Sequence, residues 1–176
     1  MNYKSYYKTD KNFSDIILTS DGKYLTGLFF VGYKYADKLV EQFAEKESAI
    51  FKETKKWLDI YFSGEKPGFN IKYKIDNLTS FRKEVLDMIS EIPYGQTITY
   101  GAIARKIADK QNKSKMSAQA VGGAVGFNPI SIIIPCHRVI GSDGSITGYS
   151  GGLANKIELL KLEQVIVDSA GFIVKY

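Results

Sequence analysis

The composition of this chain changes near Asp76-Asn77-Leu78-Thr79, a plausible domain boundary, and the apolar repeats on either side limit what each part can fold into. Before it, strand-like runs flank a stretch at helical spacing; beyond it, apolar positions recur mainly at three and four, the period of a helix face. Asp15 to Leu18 and Lys23 to Val31 are β-branched and aromatic runs on either side of Ser20-Asp21-Gly22, a strong hairpin signal. From Ala36 to Phe62 the positions Leu39, Val40, Phe43, Ile50, Phe51, Thr54, Trp57, Leu58 and Tyr61 fall at helical spacing, as two helices or one broken helix, stopped by Ser63-Gly64. Phe69, Ile71, Tyr73 and Ile75 alternate with Asn70, Lys72 and Lys74, which predicts a third strand.

The second part opens at Thr79, a residue suited to capping a helix whose inward face is Phe81, Val85, Met88, Ile89 and Ile92; Pro93-Tyr94-Gly95 ends it. Thr99 caps a short helix with Ile103, Ala104 and Ile107 inward, and Ser117 opens another through Ala118, Ala120, Val121 and Ala124. The expected domains are therefore 1–78, α/β, and 79–176, mainly helical. From Arg105 into the loop that reaches Lys115, Arg105, Lys106, Lys110, Lys113 and Lys115 stand against one acid, Asp109. Such a loop is either a solvated connection or a surface for phosphates, and helix, basic loop, helix has the form of a helix-turn-helix. The helix after Ser117 also carries Gly122, Gly123 and Gly126, each costing roughly 1 kcal/mol against alanine. Tight packing of two helices is the simpler reason for them, and close approach of backbone to a large ligand is the other.

Composition narrows the class. Apolar residues at 44% and charged residues at 24% are ordinary globular usage and argue against disorder. The longest apolar run lies around Ile132 to Ile134, far short of the roughly 18 residues of a membrane-spanning helix. MNYKSYYKTD has no apolar secretory stretch, so an unprocessed, cytoplasmic protein is expected. A single cysteine cannot form an internal disulfide, and a free thiol suits a reducing compartment. The net charge of +5 favours an anionic partner without specifying one.

After Asn128-Pro129 comes an apolar run, Ser131-Ile132-Ile133-Ile134, read as a strand that Pro135 terminates for want of an N–H. The only cysteine and the only histidine, Cys136 and His137, follow directly. Separately, each is commonly a buried structural residue. Together they are too few to close a zinc site, which takes three or four protein ligands, and no metal or other cofactor is expected. They do suffice as a nucleophile and the base that takes its proton, provided a third group orients the ring. Glu163, in the helical stretch from Gly152 to Gln164 whose apolar stripe includes Leu153, Ile157 and Leu160, is the best candidate, and an exposed helix carboxylate is the alternative.

The run from Asn128 through Pro135-Cys136-His137-Arg138-Val139 closely resembles the active-site signature of the O6-alkylguanine-DNA alkyltransferases, the methylated-DNA–protein-cysteine methyltransferase family. The resemblance continues through Ile92-Pro93-Tyr94-Gly95, Thr99-Tyr100, Ala120-Val121-Gly122 and Gly148-Tyr149-Ser150-Gly151-Gly152, covering about residues 80 to 164 in one order. It implies a small ribonuclease H-like α/β domain followed by a winged helix-turn-helix-like, mainly helical domain. It also implies direct reversal of DNA damage, with an alkyl group moving irreversibly from O6 of guanine, or alternatively O4 of thymine, to Cys136.

In that family Cys136 would be the acceptor, His137 its base through a water, Glu163 the partner of His137, and Asn128 a brace for the turn. Tyr100 would donate a proton toward guanine N3, with Tyr149, Ser150, Val139 and Lys156 around the pocket. Ala118, Gln119, Ala120, Gly122 and Arg138 would meet double-stranded DNA in the minor groove, where a monomer receives the flipped base. Gln119 is a departure, since many members carry an arginine there to fill the gap left by that base. Some members hold a zinc ion in the first domain through cysteines and histidines that this chain lacks. Two other classes use the same residues. A cysteine hydrolase would turn over an acyl substrate, and a plain DNA-binding module would leave Cys136 idle.

Overall fold

The computed structural model describes residues 2–10, 12–32 and 36–174, and the side chains of Ala36 and Leu39 lie outside that description. The chain divides into two compact units, Met1–Asp76 with Pro129–Ile133, and Asn77–Asn128 with Ile134–Tyr176.

The first unit is built on a four-stranded sheet in the order β3-β2-β1-β4, from β1 (Tyr3–Tyr7), β2 (Ile16–Ser20), β3 (Leu25–Phe30) and β4 (Ala44–Glu45). The hairpin between β2 and β3 forms where the sequence placed it. Asp21 accepts from the amides of Lys23 and Tyr24, Ser20 Oγ accepts from Gly22 N, and Gly22 takes a φ of 99°. β1 pairs antiparallel with β2, Tyr3 opposite Ser20 and Tyr7 opposite Ile16. Its polar, aromatic sequence gave no strand expectation. The helical stretch is indeed two helices, α1 (Ala36–Val40) and α2 (Ala49–Phe62), the second capped by Ser48 Oγ on Phe51 N.

Every residue of β2 is buried, so this sheet is covered on both faces. Ile17, Phe29 and Val40 cluster with Phe43 on one face; α2 packs on β2 and β3 and buries Ile50, Phe51, Leu58 and Tyr61. Each such side chain contributes about 1.5–3 kcal/mol on leaving water. Gly27 is fixed by contact, since a β-carbon there would collide with the Phe29 ring and stand 2.5 Å from Thr19 Oγ1.

Two expected strands are not strands. From Phe69 to Ile75, Ile71 is buried, but only Tyr73 bridges to β3, at Leu25. Ser131 to Ile134 is a buried turn in which Ile132 takes a φ of 68°, a strained value for a β-branched residue. Only the preceding Ile130 bridges, to Leu28, so Pro135 ends no ladder.

The second unit packs α3 (Ser80–Ser90), α4 (Tyr100–Lys110) and α5 (Ala118–Gly126) against one another. All three predicted caps form: Thr79 Oγ1 accepts from Arg82 N, Thr99 Oγ1 from Ala102 N, and Ser117 Oγ from Ala120 N. Leu86 is buried beside Val85 and Ile89. Two short parallel strands, β5 (Ile98–Thr99) and β6 (Val139–Ile140), pair Ile98 with Val139 and Thr99 with Ile140. This pairing brings the start of α4 beside the single 3₁₀ turn Cys136–Arg138, against which α6 (Leu153–Leu162) packs.

Candidate active site

Cys136, His137 and Arg138 form that 3₁₀ turn, with Arg138 N bonded back to Pro135 O at 3.0 Å. All three are buried, so their polar atoms must find protein partners. Asn128, buried at the end of α5, supplies two of them: Nδ2 donates to Ile134 O at 2.8 Å and to Cys136 Sγ at 3.0 Å. The asparagine thus fixes the turn and places a donor on the sulfur.

Glu163, just past the last turn of α6, reaches the same place and is buried. Its Oε1 lies 2.8 Å from His137 Nε2, and Arg138 grips both oxygens, Nη2 on Oε1 and Nε on Oε2, each at 2.8 Å. Gly95 N adds a bond to Oε2 at 3.1 Å. Burial alone would favour the neutral acid; His137 and Arg138 outweigh it and hold the carboxyl well below its ordinary range. An ionised carboxylate only accepts, so His137 carries its proton on Nε2 and turns the lone pair of Nδ1 the other way. Burial lowers the imidazole's proton affinity against the pull of Glu163, so the ring is neutral near pH 7 and able to accept a proton.

The thiol is also neutral at rest. Burial pushes Cys136 up, while the Asn128 donor and the Lys156 ammonium pull it down. Lys156 is fully buried and donates to Val139 O at 2.6 Å, Thr147 O at 2.7 Å and Gly148 O at 3.4 Å. Burial lowers its pKa to about 8, opposed by the cysteine. The Tyr100 hydroxyl, at the start of α4, points to the same Thr147 and Gly148 carbonyls at 3.4 and 3.3 Å. Burial, then the cysteine, pushes it to about 12, so it keeps its proton until a strong base arrives. Val139 is buried, and Tyr149 and Ser150 are half-buried in the turn ahead of α6. A pocket of about 320 Å³, lined by Tyr100, Gly101, Ala118, Gly122 and Ser142, opens alongside.

Of the residues expected to meet DNA, Ala118, Gln119 and Ala120 are exposed on α5 and Gly122 is half-exposed. Arg138 is not among them. Its guanidinium is held inside by Glu163 and by Ile92 O at 2.5 Å, because the carboxylate needs a cation where no water reaches. The glycines of α5 also depart from the simpler expectation of tight helix packing. A β-carbon added at Gly123 or Gly126 would meet nothing, and at Gly122 it would only touch the Tyr100 ring. Gly95, read merely as a helix end, is a site residue: its φ is 75° and a β-carbon would stand 3.0 Å from Glu163 O. The Pro93-Tyr94-Gly95 motif was the available signal.

Among the described residues no group of three His, Cys, Asp or Glu is placed to hold a metal, and no helix is long and apolar enough to cross a membrane.

Two family models match the chain: the 6-O-methylguanine DNA methyltransferase ribonuclease-like domain over residues 2–75 and the DNA binding domain of the same family over residues 80–165. The methylated-DNA–protein-cysteine methyltransferase of Methanosarcina acetivorans is 41% identical over 84% of this chain and 90% of its own. That of Haemophilus influenzae is 38% identical over 93% and 87%. The crystal structure of Mycobacterium tuberculosis O6-methylguanine methyltransferase superposes with a TM-score of 0.78 at 33% identity over 96% of both chains. A structure of Mycobacterium tuberculosis OGT in complex with DNA gives 0.74 at 34% identity over 93% and 92%. With both domains matched in order, the chain belongs to the methylated-DNA–protein-cysteine methyltransferase family.

Proposed function

We propose that this protein repairs DNA by moving an alkyl group from O6 of guanine to Cys136, once per molecule. The observation that carries this is the buried relay Asn128–Cys136 and His137–Glu163–Arg138, a thiol with a donor on its sulfur beside a neutral imidazole whose far nitrogen is held by an ionised carboxylate.

The step is a single displacement. The thiol proton passes through one water to His137 Nδ1, the S–C bond forms as the C–O6 bond breaks, and the electron pair stays on the guanine. Glu163 stabilises the imidazolium that results. Lys156 and the Asn128 amide stabilise sulfur as it gains charge. Tyr100, still protonated, gives its proton to N3 of the departing base, while Tyr149, Ser150 and the backbone at Val139 line the space around it. A thioether has no leaving group that this site could expel, which argues against a hydrolase and makes the protein its own co-substrate.

A base inside the duplex cannot reach a buried thiol, so the nucleotide is turned out of the stack, and the weakened pairing of an alkylated guanine lowers that cost. The second helix of the helix-turn-helix, α5, enters the minor groove as the protein binds as a monomer. Its outward stripe of Gln119, Gly122, Gly123 and Gly126 supports this role, since glycine there allows the closest approach and Gln119 alone is long enough to occupy the vacated space. The reaction requires a reduced thiol, consistent with action in the cytoplasm.

Intact mass spectrometry after incubation with an O6-methylguanine duplex tests the proposal. A gain of one methylene mass on Cys136, absent with undamaged DNA and absent in Cys136→Ala, is the expected result. DNA binding with no change of mass would leave a lesion-binding protein instead.

A further inference from the structure

Cations in the second unit fall into two groups. Arg82 lies over the Phe127 ring at 3.9 Å, Lys83 pairs with Asp87, Lys110 with Glu84, Arg138 with Glu163 and Lys161 with Glu158, and Lys156 is held by carbonyls. Among the described residues of this unit, the cations with no such partner are Arg105, Lys106, Lys113 and Lys115, all exposed and all within the segment from α4 to α5. An exposed cation left without an acid is available to an outside anion.

Two of the four converge. A groove of about 880 Å³ runs between α4 and the segment leading into α5, with Arg105 and Lys115 on its walls, Ser114 and Ser117 beside them, and Gly101, Ala104 and Ala108 among its floor residues. One acid, Asp109, also lines it, which leaves the groove with a net positive charge. Ser117 Oγ accepts the capping bond from Ala120 N and keeps its own hydrogen to donate, as does Ser114. Donors and cations above a floor of small side chains suit an anion that is broad and flanked by apolar carbon, as a sugar–phosphate backbone is. The groove shares Gly101 and Ala118 with the 320 Å³ pocket at Tyr100 and Gly122, so an occupant of one continues into the other.

We propose that this groove is a phosphodiester site, in which Arg105 and Lys115 grip the backbone of one strand of duplex DNA next to the pocket at Tyr100 and Gly122. The inference rests on the alkyl-transfer reading for the identity of the partner, and it locates binding strength that the neutral Gln119 does not supply. Phosphate contacts act on every sequence alike, so the grip serves affinity and register rather than recognition of damage.

The test compares the wild-type protein with an Arg105→Ala/Lys115→Ala double variant on matched duplexes with and without O6-methylguanine, across a salt series. Loss of two phosphate contacts is expected to make the slope of log affinity against log salt shallower by about 2. Affinity should fall by the same factor for both duplexes. The first-order rate of methyl transfer at saturating protein should be unchanged, with half-saturation at higher concentration. Arg105→Lys with Lys115→Arg should keep the wild-type slope, which separates lost charge from lost fold. An unchanged slope, or an affinity loss confined to the damaged duplex, overturns the proposal. Failure of the wild-type protein to gain the methylene mass overturns the alkyl-transfer reading instead, and the salt slopes still decide the groove.

Discussion

Glu163 holds His137 and Arg138 through the same oxygen, Oε1 lying 2.8 Å from the imidazole Nε2 and 2.8 Å from the guanidinium Nη2. One carboxylate therefore sets the tautomer of the base and neutralises a buried cation, and the two tasks fail together. In Glu163→Gln the ring loses the anion that stabilises its charged form, and methyl transfer should slow on the order of 10²–10⁴-fold in single-turnover assays. Arg138 is left buried without a counter-charge, which should cost about 3–5 kcal/mol in denaturant unfolding. A slowed reaction with undiminished stability would mean that Arg138 has another anion.

The same pair governs behaviour in acid. Glu163 sits below its ordinary 4.5 in the folded state, so its stabilisation is complete above that pH and is lost as pH falls through the lower folded value. His137 is also depressed, from 6.5, so the unfolded chain takes up a proton first and stability begins to drop below that pH. Unfolding free energy against pH should therefore decline in two stages below neutrality, with the lower stage missing in Glu163→Gln. The saturating methyl-transfer rate should fall on the acid side, as the imidazole protonates, and again above about pH 8, as Lys156 loses the charge that stabilises the sulfur.

Asn128 bonds both the Ile134 carbonyl and the Cys136 sulfur. Asn128→Ala leaves a buried carbonyl unpaired, at a cost of about 1–3 kcal/mol. It also removes a donor that favours thiolate, so the pH at which Cys136 reacts with a small alkylating reagent should move upward. A lower melting temperature with an unmoved thiol titration would limit Asn128 to holding the turn.

Gly123 and Gly126 are exposed on α5, and a β-carbon at either would meet nothing in the folded protein. Alanine at either position should raise stability by up to about 1 kcal/mol through helix propensity. Because the same face is proposed to enter the minor groove, each substitution should also weaken DNA binding. Tighter folding with undiminished binding would place the DNA on a different face.

Much of this fold was legible because short-range chemistry decided it. The Asp21 turn and the caps at Thr79, Thr99 and Ser117 depend on side chains bonding to backbone two or three residues on, and all four form as expected. The errors lie where a hydrogen bond needed a distant partner. Phe69 to Ile75 has the alternating sequence of a strand, yet only one rung of a ladder is available to it, and Tyr73, expected inward, is exposed beside Lys72 and Lys74. Ser131 to Ile134 is apolar because it is buried, and an apolar run does not reveal whether it runs straight or turns. At the site, Cys136, His137, Glu163 and Asn128 come together as the family resemblance implied. Arg138 was misassigned because a guanidinium reads alike whether it faces a phosphate outside or a carboxylate within.

The parallel pairing of Ile98 with Val139 gives the reactive turn an origin far from itself along the chain. Asn128, Glu163 and Gly95 likewise arrive from different elements, and none is supplied by the five residues Pro135 to Val139. That pentapeptide cut loose would be an ordinary thiol next to an ordinary imidazole. The donor on the sulfur and the carboxylate on the imidazole therefore exist only once α5 and α6 have come to the turn. An unfolded or truncated chain keeps the motif and loses the arrangement, so the reaction at Cys136 reports on the completed fold of the second unit as directly as any spectroscopic probe of folding.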